Sequence, residues 1–265
     1  MQIKEVRCKS CLNKSKLTDY AINPYVGCQH GCKYCYAVFI RKFQNIKEEW
    51  GEFLHAKINC HELLGKELEV SKPGHIWMSS VTDPYQPAEE KYELTRKILE
   101  TISNSSHRFT VEILTKSGLV ERDFELLKDL GVELGMSVNT LDSATARIIE
   151  PLASNPEQRI NTLRKAKEKG IKIFGFISPV IPGITDLEEV FREMQFCQYV
   201  WVELLNTKPS VLSRLMPVIR QHFPNSLKEM QQLLHRKEDY VRKIKEQVRQ
   251  LEERYNLTVR DIVVH

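Results

Sequence analysis

The sequence predicts an α/β fold built on a parallel sheet, and three observations carry that reading. Short apolar runs alternate with longer amphipathic ones: HIWMSS (75–80) precedes EEKYELTRKILETI, FTVEIL (109–114) precedes DFELLKDL, VELGMSV (132–138) precedes NPEQRINTLRKAKEKG, and IKIFGFI (171–177) precedes DLEEVFREMQFC. The short runs are rich in β-branched and aromatic residues, as strands buried on both faces are, and parallel strands need helical crossovers to cover them. No repeat, Ser/Gly linker or low-complexity block interrupts the chain before about residue 210, and 265 residues fit one substantial core.

Taken in order, the first strand falls near TDYAIN, the next four are those named above, and YVWVEL (199–204) makes a sixth. Six units are too few to close an eight-stranded barrel, so the pattern leaves an open partial barrel and a doubly wound sheet as alternatives. In both, ligands gather at the C-terminal ends of the strands. Beyond the sixth strand the composition changes. Ser226 to Asn256 is charged and helical, with Val241, Ile244, Val248, Leu251 and Tyr255 on one face. This divides the chain into a strand–helix domain over 1–210 and a C-terminal helical extension over 211–265, expected to pack on the barrel.

Lys and Arg number 39 against 35 Asp and Glu, a net charge of +4 spread along the chain. That balance neither demands nor excludes a nucleic-acid partner. The basic stretches RKAKEK (164–169) and VRKIKEQVR (241–249) read as solvated helix faces. MQIKEVRCKS has no secretory h-region, and no apolar run approaches the ~18 residues that span a bilayer. A soluble cytoplasmic protein without a membrane partner is expected.

Seven cysteines stand at positions 8, 11, 28, 32, 35, 60 and 197, five of them within the first 35 residues. In a reducing compartment such crowding points to metal or redox chemistry rather than a disulfide framework. NPYVGCQHGCKYCYA reads Cys-x3-Cys-x2-Cys at Cys28, Cys32 and Cys35. Three thiolates on one loop can each bind a different iron of a cubane, leaving the fourth iron open for chemistry. A structural zinc site would need a fourth ligand, His30 or Cys11. Gly27 and Gly31 permit a tight loop with backbone close to the cluster.

The spacing, with Tyr34 before the last cysteine, resembles the radical S-adenosylmethionine (SAM) signature. The longer string DYAINPYVGCQHGCKYCYA is similar to the spore photoproduct lyase-like branch of that superfamily. The resemblance continues through SSVTDPYQPAEEKYELTRKILE, ILTKSGL, SVNTLDSATARIIEPLASNPEQRI and FISPVIPGITDLEE, covering about residues 9–205. It implies a partial (β/α)6 TIM-type barrel with a [4Fe–4S] cluster near the top of the first strand. It also implies reductive cleavage of SAM to a 5′-deoxyadenosyl radical that abstracts hydrogen from substrate. A reducing donor such as flavodoxin or ferredoxin would supply the electron. The protein's own part is to bind, orient and exclude water.

The resemblance further assigns SAM contacts to strand ends. Ser79 and Ser80 close the second strand, where the amino group is bound, and Thr115 and Lys116 close the third, where a lysine meets the carboxylate. Ser137 and Asn139 end the fourth, where the ribose is contacted, and Ile177 to Pro179 end the fifth, by the adenine. Tyr34 belongs to the same set. Asp83 shapes its loop as well as the rim, and Arg147 and Glu150 are expected in a salt bridge or a cap. Beyond the cluster no catalytic residue is assigned.

Cys8 and Cys11 form a second Cys-x2-Cys pair, for which an auxiliary cluster with Cys60, a thiol that supplies a hydrogen atom or electron, sulfur sacrifice and no role at all are the alternatives. Cys60 and Cys197 read as buried small hydrophobes. Neither matches the context of the hydrogen-donating cysteine of spore photoproduct repair, so the ancestry does not carry that activity. The expected substrate is a small molecule, with a nucleoside or nucleic-acid component favoured by analogy. Radical sulfur insertion or peptide modification through Cys8 and Cys11, and a non-catalytic metal-stabilised binding module, are the other readings.

Overall fold

A computed structural model describes residues 1–265. Each apolar run becomes a strand: β3 Tyr20–Ile22, β6 His75–Met78, β7 Thr110–Thr115, β8 Glu133–Val138, β9 Lys172–Val180 and β10 Val200–Leu204. β1 Gln2–Val6, β2 Asn13–Lys14, β4 Tyr25–Val26, β5 Phe53–Lys57 and β11 Val259–Val263 complete the set. The main sheet runs β11-β10-β9-β8-β7-β6-β3-β2, parallel throughout except for β2, which pairs antiparallel with β3. From β3 to β10 the spatial order follows the sequence order without a reversal. A doubly wound sheet reverses at a switch point, so the strands are wound in the single direction of a barrel.

The helices are α1 Ile40–Phe43, α2 Cys60–Val70, α3 Glu89–Tyr92, α4 Leu94–Ser103, α5 Phe124–Leu130, α6 Ser143–Ile149, α7 Pro156–Glu168, α8 Leu187–Met194, α9 Pro209–His222, α10 Leu227–His235 and α11 Lys237–Tyr255. Their starts are local chemistry. Asp142, Asn155 and Asp186 accept hydrogen bonds from the first-turn amides of α6, α7 and α8, and Pro156 occupies the first turn of α7. The helix expected over 89–102 is two, because Glu93 takes a left-handed conformation (φ 51°) between α3 and α4.

The tail departs from a purely helical extension. α10 and α11 break at Arg236, and Ile244, Val248 and Leu251 of α11 are buried as the stripe predicts. The chain then returns as β11 and adds a further parallel strand beside β10. At the opposite edge, β1, β5 and β4 form a separate three-stranded sheet. β4 runs straight into the first cysteine of the signature, so this small sheet is the floor on which the cysteine loop stands.

Candidate active site

The loop over 27–35 is shaped by close packing. Gly27 has φ +92°, and a Cβ there would stand 2.7 Å from the Phe53 carbonyl oxygen; only glycine fits without moving β5. Thr82 donates to the Gly27 carbonyl at 2.5 Å, Gln29 N donates to Gln86 Oε1 at 2.8 Å, and Ala88 N donates to Gln29 Oε1 at 2.5 Å. Lys33 N donates to the Ile149 carbonyl at 2.8 Å, and Arg214 Nη1 to the Cys32 carbonyl at 3.1 Å. Segments remote in sequence therefore grip both sides of the loop.

Cys28 and Cys32 are buried and Cys35 is half-buried. Burial pushes all three thiols up, Cys32 to about 12, with Glu150 adding to the effect and Lys116 opposing it. Such thiols are poor nucleophiles, and as thiolates they need positive charge close by. The His30 and Ala37 amides point to the sulfurs of Cys28 and Cys35, and the cationic Lys116, Arg159 and Arg214 lie close enough to favour their charged forms. No three His, Cys, Asp or Glu side chains converge as the ligands of one ion must. The three cysteines nonetheless stand together on one loop, as ligands to separate irons of one cubane require. The donor set thus fits an iron–sulfur cluster.

The strand ends form the facing rim. Ser79, at a left-handed φ of 68°, is buried with its Oγ unpartnered, and both amide atoms of Asn139 are buried and unpartnered. Unpaired buried polar atoms cost about 1–3 kcal/mol each, and two residues that carry them stand on one rim. Lys116 Nζ donates to Ser137 Oγ at 2.7 Å and lies over the Tyr34 ring, 5.8 Å from its centroid. Ser137 Oγ in turn donates to the Ser178 carbonyl at 3.2 Å. Ser80 differs: its Oγ accepts from Asn23 Nδ2 at 3.3 Å and its carbonyl accepts from Tyr36, so its bonds are spent within the fold.

Asp83 is the organiser of its loop. It accepts from Thr115 Oγ1 at 2.6 Å, Lys116 N at 2.8 Å and Tyr85 N at 2.9 Å, and faces His30 Nδ1 at 3.4 Å. Burial alone would raise its pKa, but His30 and these donors hold it at about 2. Glu150 pairs with Arg159 at 2.5 Å rather than with Arg147, because Arg159 is the side chain buried with it. Glu203, unassigned by sequence reasoning, accepts from Ser178 Oγ at the end of β10 and faces His265 Nε2 at 2.8 Å. Glu203 and Arg214 carry no local motif, and Gln86, though within the quoted string over 79–100, is given no role there; the fold brings all three to the loop.

The outlying cysteines part company. Cys11 is bonded to Cys60, 49 residues away, so Cys60 is not a lone apolar filler, and Cys8 and Cys11 do not act as a pair. Cys8 remains a thiol, its backbone held by Asn59 through hydrogen bonds of 2.8 and 3.0 Å. With two of the three sulfurs joined, an auxiliary cluster on Cys8, Cys11 and Cys60 finds no support. Cys197 is buried as expected.

Residues 22–194 match the family model of the radical SAM superfamily. An uncharacterized protein of Methanocaldococcus jannaschii is 35% identical over 100% of this chain and 98% of its own length. The chain belongs to the radical SAM superfamily and is an enzyme of that class. Its fold is that of spore photoproduct lyase, solved in complex with dinucleoside spore photoproduct, at a TM-score of 0.61 and 18% identity over 84% of this chain and 67% of that one. A radical SAM Nα-GlyT isomerase of Pseudomonas phage M6 is 24% identical over 71% of this chain and 38% of its own length. No helix is long and apolar enough to cross a membrane.

Proposed function

We propose that Cys28, Cys32 and Cys35 hold a [4Fe–4S] cluster and that Ser79, Lys116, Ser137 and Asn139 receive SAM across the rim. When bound, the pair supplies a 5′-deoxyadenosyl radical that abstracts hydrogen from substrate. The observation that carries the reading is the coincidence, on one rim, of buried unpartnered atoms at Ser79 and Asn139 with a lysine that a hydroxyl steadies. Lys116 offers a compact cation to a carboxylate. Ser79 offers a hydroxyl acceptor to an ammonium, and Asn139 offers both a donor and an acceptor to paired hydroxyls. Tyr34 walls the site beside Lys116, and Ser80 braces the loop.

The substrate we favour carries a nucleobase. Tyr36, Phe39 and Phe43 follow the last cluster cysteine as an exposed aromatic row, with centroid separations of 6.5 and 5.8 Å. Lys33, Lys42 and Lys47 accompany it, while Arg41 is paired with Glu49 at 2.9 and 3.0 Å. Aromatic faces with interleaved cations suit stacked bases and phosphates. The dinucleoside in the lyase complex is of the same chemical class. A low-potential carrier such as flavodoxin or ferredoxin is the proposed electron donor.

The test is anaerobic reconstitution with iron and sulfide, then dithionite and SAM, with 5′-deoxyadenosine measured in the wild type and in Cys32→Ala. Nucleoside formation by the wild type alone is expected. A clustered wild type that binds no SAM would overturn the reading. Oligonucleotide binding that weakens with salt and with Phe39→Ala is expected of a nucleobase substrate.

A further inference from the structure

Beneath the signature loop lies a buried ion pair that the SAM contacts do not include. Glu150 and Arg159 expose 0% and 1% of their side chains. Against a well-packed apolar pair, a buried ion pair is seldom the more stable choice, so its position asks for another account. Arg159 is fixed by three acceptors: the Ser137 carbonyl at 2.9 Å, the Ser154 carbonyl at 2.7 Å and Glu150 Oε2 at 2.5 Å. Glu150 Oε1 then accepts from the Tyr34 hydroxyl and lies 4.0 Å from Lys116 Nζ.

Burial alone would raise the pKa of Glu150, yet Arg159 and Lys116 bring it below the ordinary value, so it is ionised at neutral pH. The carboxylate therefore touches, in turn, the clamp behind it, the aromatic of the signature, and the lysine assigned to the SAM carboxylate. Resting on the proposed cluster and SAM site, we infer that Glu150, locked by Arg159, is a positioning residue. It aims the Lys116 ammonium and the Tyr34 ring at SAM.

The test uses Glu150→Gln, which keeps the side-chain shape and removes the charge, with Lys116→Met and the double variant alongside. Iron per chain, SAM Kd by equilibrium dialysis and the SAM-induced change in the EPR spectrum are measured on the anaerobically clustered protein. Expected are wild-type iron content, a SAM Kd raised about tenfold and a SAM-induced spectral change that needs correspondingly more SAM. Lys116→Met should cost less in the Glu150→Gln background than in the wild type. An unchanged Kd or additive effects would each overturn the inference.

Glu150→Gln leaves Arg159 buried without its counter-charge and can fail to fold. The neutral pair Glu150→Gln with Arg159→Met removes that risk, and should melt near the wild type while showing the same SAM loss and the same non-additivity with Lys116→Met. Wild-type affinity in that pair would again overturn the inference. A wild type that takes no iron or no SAM refutes the underlying site instead, and does so before any variant is compared.

Discussion

Asn139 closes β8 with its whole amide buried and unpaired, a cost that the proposed SAM contact would offset. Asn139→Ala is therefore expected to leave the stability of the unliganded protein unchanged or to raise it by about 1 kcal/mol, while weakening SAM binding about tenfold. Denaturation without SAM and dialysis with it check the two halves; a large loss of stability would mean that the amide serves the fold. Asp83 is the opposite case. Its carboxylate is held at about 2 against an ordinary value of 3.8, a stabilisation of ~2 kcal/mol. Because the folded value is the lower one, that stabilisation is fully present above about pH 4 and is lost as pH falls through 2. Asp83→Asn should narrow its stability deficit between pH 7 and pH 2.5, measured by urea unfolding of the cluster-free protein. A deficit independent of pH would assign the effect to packing.

At the scale of elements, the six core strands were legible because each is a buried run followed by an amphipathic one, and the cysteine loop because its spacing is local. The small sheet was not. β1 is mostly exposed and polar, and β4 has two residues, so neither carries a periodic signal. β11 was missed because VRDIV at a sheet edge buries too little to read as a strand. Yet the small sheet decides the shape of the loop, through the approach of Phe53 to Gly27. Gly27→Ala must strain a left-handed residue and push the Phe53 carbonyl from 2.7 Å. Iron incorporation by the variant is expected to fall several-fold, with Gly170→Ala, at a left-handed glycine that has open space around it, loading as wild type. Equal loading in both would show that the loop adapts.

For the whole molecule, what escaped the sequence was long-range partnership. Glu150 finds Arg159 instead of Arg147, Arg214 reaches Cys32 from α9, and Cys11 finds Cys60 across 49 residues. Cys60 looked like an apolar filler because a buried thiol early in an amphipathic helix has the same pattern. The bond ties the segment after β1 to the start of α2, so the small sheet is closed by covalent linkage as well as by pairing. Closing a loop of that length removes unfolded-state entropy equivalent to about 4 kcal/mol. Cys60→Ala should therefore melt well below the wild type in the absence of reductant, and dithiothreitol should bring the wild type down towards the variant. The cysteines proposed to hold the cluster lie on a different segment, so iron loading of Cys60→Ala under reducing conditions should match that of the reduced wild type. Loss of iron together with stability would instead show that the tether acts through β5 on the cysteine loop, coupling the oxidation state of the N-terminal segment to the assembly of the site.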